Sequence, residues 1–452
     1  MVGVHNLESK SINSHEAANF TPPQRSLLLL PKCNRLGEKS RVERLTQLGK
    51  HEMNTTTRHA TNTNGNPYGD LATLRERFPE ASDPTMGLEI EAPMLNPKTG
   101  QPMPLFERIR GELPTEWHAR IHPEFGQWQI EYATKPHLRI HTLRQEITEF
   151  VKETERLCRK HGGRLAWQAV MPNWSLDPKL ITDTERSWMN LKRYGGRAAY
   201  LAMCSMHVHV GVSRDMAIPV ADRMQSFVPL LIAIAANSPQ MAGRNESACS
   251  HRAAIWSNEF ETSGFPRRFG DWDGFELHVS QLQKANIIAS QKDLYYFIRP
   301  TRFGTIEVRC CDLPPDLDTA IEITALIQTL AVAVQTKPEL EIATSVLHAD
   351  LISAVQNGPT AKLTNWRGHR VDLLNLLDDL CGAIHETAVT LGTERELASL
   401  FARVSRRQKV ASERNQPAIL RTESTRPRNG SWAVVPMTFA AGLLAGLSPY
   451  LW

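Results

Sequence analysis

The sequence predicts an α+β domain built on a sheet with one unusual polar face. Three observations predict it: short runs in which charged and apolar residues alternate, longer runs with the apolar spacing of helices, and turn or stop residues between them. No repeat of solenoid or propeller period is present. The 452 residues allow two or three average domains, or one large α/β unit with a long flexible end.

Residues 1–82 are rich in Asn, Thr, Ser, Arg and His, with the polar stretch Asn54 to Asn66, and read as a disordered leader. Residues 83–409 read as the folded catalytic domain. From Met86 the character becomes strand-like, and Asn96-Pro97-Lys98-Thr99-Gly100 supplies a hairpin turn. A helix is expected from Thr142 to Gly162, with Thr142 and Gln145 at capping-box spacing and Leu143, Ile147, Phe150, Leu157 and Cys158 as its apolar stripe. Further helices are expected from Val220 to Asn237, from Asp318 to Lys337 and from Val371 to about Thr390. Residues 410–452 are Arg-, Ser- and Pro-rich before an apolar stretch that Pro436 and Pro449 interrupt, so they read as a packed or loose tail rather than a membrane span.

Composition excludes several classes. The 52 basic residues are dispersed among 48 acidic ones, which leaves no stripe for nucleic acid. Seven cysteines without a C-x-x-C pair argue against a disulfide framework or a zinc ribbon and point to a reducing, cytoplasmic setting. Without a secretory apolar run at the N-terminus, no export signal is expected, and neither is a membrane partner.

Four strand-like segments share one pattern. Residues two apart on a strand face the same way. Glu89 and Glu91 therefore oppose Leu88 and Ile90, and Gln129 and Glu131 oppose Trp128 and Ile130. His207 and His209 oppose Met206, Val208 and Val210, while Glu307 and Arg309 oppose Ile306 and Val308. Any one such strand is ordinarily a half-exposed strand with a solvated face. Four faces of Glu and His with one Arg and no Lys are different, because gathered carboxylates repel unless a cation lies between them.

Carboxylate oxygens with one or two imidazoles favour magnesium or manganese. A zinc site of His207 and His209 with Cys204 or Cys310, serving a hydrolase, is the rival. Hard cations on a sheet suit phosphoryl transfer, with Arg309 placed to neutralise charge on the transferred group. No P-loop motif is present, so a nucleotide would be held mainly through metal.

These residues resemble the type 2 glutamate-cysteine ligase or carboxylate-amine ligase family, distantly similar to glutamine synthetase. The resemblance runs from about Met86 to Val332. Its markers are G-L-E-I-E at 87–91, Q-I-E-Y-A-T at 129–134, M-H-V-H-V-G-V at 206–212, A-A-N-S-P at 235–239, Ser250-His251-Arg252, and the run from Ile298 to Asp312. The resemblance implies a curved antiparallel sheet forming a funnel-shaped active site with helices on its outer face, ATP entering one end and the amino acid the other. It implies metal positions at Glu89, Glu91, Glu124, Glu131, His207 and Glu307. His209 and Arg309 would face the phosphates, Arg299 would anchor a substrate carboxylate, and Arg252 would be the basic residue of the substrate-side loop Gly243–Asp273. The implied cofactors are ATP and Mg2+ or Mn2+. The implied partners are an amino-acid carboxylate, typically glutamate, an amine, typically cysteine in the glutathione pathway, and a homodimer mate.

The residues leave the amine open, and a non-catalytic nucleotide- or amino-acid-binding regulator of the same fold stays among the readings. Arg309 has an alternative as a structural ion pair with Glu307 or Asp312. Cys310 and Cys311 alternate across the end of their strand, which would put one in the packing and the other near the funnel, with a buried inert thiol the default for both, and Trp128, Trp167 and Trp256 are expected to pack in the core or under loops.

Overall fold

Apolar and polar residues alternate from Leu88 to Glu91, as in a strand with one apolar face, and Met86–Leu95 form the longest strand, β1. It lies inside a computed structural model that describes residues 71, 73–171, 177–241 and 248–414, all within the unit Asn66–Trp452. The other strands of its sheet are β2 (Ile121–Pro123), β3 (Gln129–Ala133), β4 (Arg164–Leu165), β5 (Met206–Gly211), β6 (Ile298–Pro300) and β7 (Thr305–Val308). Their order is β2-β3-β1-β5-β7-β6, every pairing is antiparallel, and β4 adds to the far end of β1.

The apolar side of the alternation is the core. Leu88, Ile90, Val208, Val210, Ile306 and Val308 are all buried, each burial contributing about 1.5–3 kcal/mol. The helix Leu317–Thr336 packs against β5 and β1. By length and composition this helix could cross a membrane, but 83% of its apolar window is covered by protein, which makes it the core helix of this domain. Its polar residues are satisfied in place: Thr324 and Thr329 donate to carbonyls one turn back, and buried Glu322 accepts from Arg403 at 2.9 Å. Arg403 belongs to the helix Glu394–Arg414.

Two expected helices have different boundaries, each for a physical reason. The stretch expected as Val220 to Asn237 is two helices, Arg214–Met224 and Val228–Ala235, joined by a 3-10 turn at Gln225–Phe227. Pro229 lacks an amide hydrogen and stands in the first turn of the second helix, where that hydrogen would have no partner within the helix. The Val371–Thr390 stretch begins as a short strand, Arg370–Asp372, and divides into Leu373–Ala383 and His385–Leu391. The expected capping box is absent as well. The helix Ile140–Lys160 starts two residues earlier, and Thr142 Oγ1 donates to Arg139 O instead. The turn at Asn96–Gly100 forms as expected, with Gly100 at a φ of 69°.

Part of the stretch read as leader is packed. Leu71, Leu74 and Phe78 are buried in the core, and Phe78 meets the Trp272 ring edge-on at 5.1 Å. Residues 1–70 and 72, and the tail beyond 414, lie outside the described residues. Nearby, β5 ends at Gly211, where a Cβ would come within 2.7 Å of Asp83 O. Phe78→Ala is expected to cost about 3–5 kcal/mol in denaturant unfolding, as for other buried aromatic truncations. A cost under about 1 kcal/mol would place Phe78 outside the cooperative core.

Candidate active site

Antiparallel register carries the polar alternation across the sheet. Glu91 stands opposite Glu131, Glu131 opposite His122, Glu89 opposite His207, His209 opposite Glu307, and Glu307 opposite Arg299. All of these residues therefore share the face away from the core helix. They line a cavity of about 430 Å³ together with Glu124, Arg252 and Arg309. Every site residue expected from the sequence lies in this one cavity.

Two groups on this face could each hold a cation. In the first, Glu89, His209 and Glu307 bring one donor atom each within 4.8 Å of one another; in the second, Glu91, Glu124 and Glu131 do so. Glu124 follows β2 rather than lying in it, and Thr182 Oγ1 fixes its carbonyl at 2.6 Å. The protein alone leaves both groups unsatisfied. His209 Nε2 is buried with no hydrogen-bond partner, although Glu89 Oε1 is 3.2 Å away. Burial, and then the charge of Glu124, pushes the Glu91 carboxyl up to about 8. Burial and a hydrogen bond shared with Glu124 raise Glu131 well above the carboxylate range. A divalent cation would supply the missing charge, and the oxygen-rich donor set fits magnesium or manganese.

Both histidines lie against Glu89 and Glu307. His209, expected at the phosphates, sits in the first cation group. His207, expected as a ligand, has Nδ1 3.0 Å from Glu89 Oε2 and Nε2 2.9 Å from Ser205 Oγ. Burial and Arg309 lower its pKa to about 4, so it is neutral at pH 7. His209 is raised, because its Glu89 and Glu307 neighbours outweigh burial. Ser205 also donates its amide, at 2.9 Å, and its hydroxyl, at 2.6 Å, to Glu91 Oε2. The alternation reaches Ser205 when extended one step before His207; only the histidines had been picked out.

Glu307 is the electrostatic hub. Arg299 donates Nε to its Oε2 at 2.7 Å and Arg309 donates to Oε1. Burial pushes the Glu307 carboxyl up, yet the Arg299 and Arg309 guanidiniums hold it well below the usual range. Arg299 also donates to the carbonyls of Leu294 and Gln291 at 2.5 and 3.2 Å, which sets its position firmly. Arg309 thus pairs with Glu307 and not with Asp312. Cys310 and Cys311 do not split between packing and cavity: both are buried, their sulfurs 4.0 Å apart. Neither cation group contains a thiol, and burial drives the Cys204 thiol well up, so the thiol-bearing zinc site finds no support among the described residues. Trp256, expected only to pack, lines the cavity beside Tyr295, Met203 and Leu201.

An antiparallel sheet whose polar face gathers carboxylates, imidazoles and paired arginines defines the class: an ATP-dependent ligase joining a carboxylate to an amine. The chain belongs to glutamate-cysteine ligase family 2 (GCS2), whose model matches residues 85–414. It is 29% identical over 342 residues, 72% of this chain and 90% of the relative, to a Gloeobacter violaceus protein named "Putative glutamate--cysteine ligase 2". A Bordetella avium protein of the same name is 29% identical over 367 residues, 80% of this chain and 89% of that one. Among solved structures, glutamate–cysteine ligase of Francisella tularensis in complex with AMP matches with a TM-score of 0.54 at 14% identity, covering 72% of this chain and 82% of that one. A bifunctional glutathione synthetase from Pasteurella multocida matches with a TM-score of 0.51 at 15% identity, covering 79% and 50%. These two share the fold.

Proposed function

We propose that the chain uses ATP to activate the side-chain carboxylate of glutamate as an acyl phosphate and couples it to the amine of cysteine, giving γ-glutamylcysteine for glutathione synthesis. The observation that carries this reading is the pair of cation groups on one sheet face, with Arg299 and Arg309 beside the first.

A carboxylate is a poor electrophile until its oxygen has attacked the γ-phosphorus of ATP and ADP has left. The acyl phosphate then loses inorganic phosphate when the amine attacks its carbonyl. Glu89, His209 and Glu307 would hold one magnesium or manganese ion, and Glu91, Glu124 and Glu131 a second. Such ions, when bound, would supply positive charge to offset that of the phosphates. Arg309 and Arg299, held in place by Glu307, face the charge that builds on the transferred phosphoryl group. Arg252 and the wall of Trp256 and Tyr295 shape the end that receives the organic substrates.

With purified protein, ATP and Mg2+, phosphate release is expected only when glutamate and an amine are both present, cysteine being the most effective of a panel. Release with another amine and not with cysteine would move the amine assignment and keep the ligase. Folded protein releasing no phosphate with any acid and amine would overturn the reading.

A further inference from the structure

Arg252 is 3% exposed, and the carboxylates that act on it from within the described residues, Asp312 and Glu91, do so without a direct hydrogen bond to its guanidinium. Its terminal nitrogens donate to Cys310 O at 3.3 Å and Arg309 O at 3.1 Å, and its Nε has no partner. A buried guanidinium whose hydrogen bonds go only to carbonyls and whose Nε is left over has a donor to spare for an anion. The guanidinium sits 5.8 Å from the Trp256 ring, at the end of the cavity walled by Trp256 and Tyr295. That end suits an organic carboxylate, whereas the phosphates belong with Arg299 and Arg309.

The position of Arg252 depends on a residue with no assigned role. Asp312 is 1% exposed and takes up donors from two distant segments. Its Oδ2 accepts from Asn237 N at 2.8 Å and Ser238 Oγ at 2.7 Å, and its Oδ1 accepts from Ser250 Oγ at 2.8 Å. Both serines pass the constraint on. Ser238 Oγ accepts the Arg252 amide at 3.1 Å, and Ser250 Oγ accepts the Ala253 amide at 3.0 Å, capping the helix His251–Trp256. One carboxylate thus ties together three stretches that carry the family resemblance: A-A-N-S-P, Ser250-His251-Arg252 and the end of the Ile298–Asp312 run.

We propose that Asp312 is a positioning residue for the ligase reaction: through Ser238 and Ser250 it sets the first turn of the helix His251–Trp256 so that Arg252 meets the carboxylate of the acid substrate. This rests on the ligase reading of the same cavity. Asp312 does not touch substrate; it acts through Arg252.

The test measures steady-state kinetics of Asp312→Asn, Arg252→Lys and the double variant with ATP, Mg2+, glutamate and cysteine. Loss of one charge-assisted contact predicts a rise in KM for glutamate of about 10- to 100-fold in each single variant. KM for ATP is expected to stay within about twofold, and the double variant to be no worse than Arg252→Lys, because the two residues act in series. Parallel rises in both KM values, or multiplied effects in the double variant, would overturn the proposal. If Asp312→Asn does not fold, Ser238→Ala removes the bridge alone and is judged on the same ratio. If the wild-type protein proves inactive with glutamate, the ligase reading fails by itself. The positioning claim is then decided by a crystal structure of whichever of Asp312→Asn and Ser238→Ala folds, in which an Arg252 guanidinium still seated on the Arg309 and Cys310 carbonyls would refute it.

Discussion

Glu307→Gln is expected to lower ligase turnover by roughly 100- to 1,000-fold, the usual cost of removing a preorganised charge from a reaction centre. The amide keeps the shape of the side chain and removes its charge. Arg299 and Arg309 then lose their common counter-ion, at 2.7 Å for Arg299 Nε, and the first cation group loses one of its three donors. The same change is expected to cost about 3–5 kcal/mol of stability, because it leaves two buried guanidiniums facing a neutral group. The pH dependence identifies the cause. The folded-state pKa of Glu307 lies well below its ordinary 4.5, so its stabilisation is present above 4.5 and is lost as the pH falls. The Gln variant should therefore show a shallower acid limb in thermal unfolding than the wild type. Turnover within about threefold of wild type would remove Glu307 and its arginines from the chemistry.

The second large effect concerns the protein stripped of divalent metal. Glu91 is pushed up to about 8 and Glu131 is raised well above the usual carboxylate range, so between pH 6.5 and 8 the folded chain holds protons that the unfolded chain has released. Stability must then fall as pH rises, by about 1.4 kcal/mol per pH unit for each carboxyl that retains its proton. The raised His209 acts in the same direction. His207, lowered to about 4, opposes this only until the unfolded imidazole has lost its proton, within about one unit above pH 6.5, and Glu89 and Glu307, both lowered, are constant there. In EDTA the thermal midpoint is expected to drop across this window, and saturating Mg2+ to flatten the slope by replacing the protons. A midpoint independent of pH in EDTA would show that the carboxylates are not forced together.

The parts of the site legible in the sequence are those written in local alternation. Glu89, Glu91, Glu131, His207, His209, Glu307 and Arg309 share a face because strand geometry sends every second residue the same way. That rule operates within a segment and says nothing about neighbours across the sheet, so it could not tell which imidazole meets Glu307. The register puts His209 there. Glu124 lies outside any strand and was reachable only through family resemblance. Asp312 was invisible as an organiser because its partners lie 62 to 75 residues away and are serines and an amide, which carry no periodicity. Helix positions were read well where an apolar stripe is continuous, as in Leu317–Thr336, and poorly where a proline such as Pro229 interrupts one.

Gly211 bears on how the chain avoids a silent error. Sliding β5 along β1 by two residues would keep every apolar side chain in the core and every polar one on the cavity side, so hydrophobic burial alone hardly distinguishes the two pairings. The slipped molecule would look native by compactness and secondary structure while bringing Glu89 opposite the wrong partner. Steric exclusion breaks this degeneracy. The spot beside Asp83 O admits no side chain, and a slip by two would deliver His209 or Ser213 to it. A residue with no chemistry of its own thus proofreads the alignment on which the catalytic groups depend.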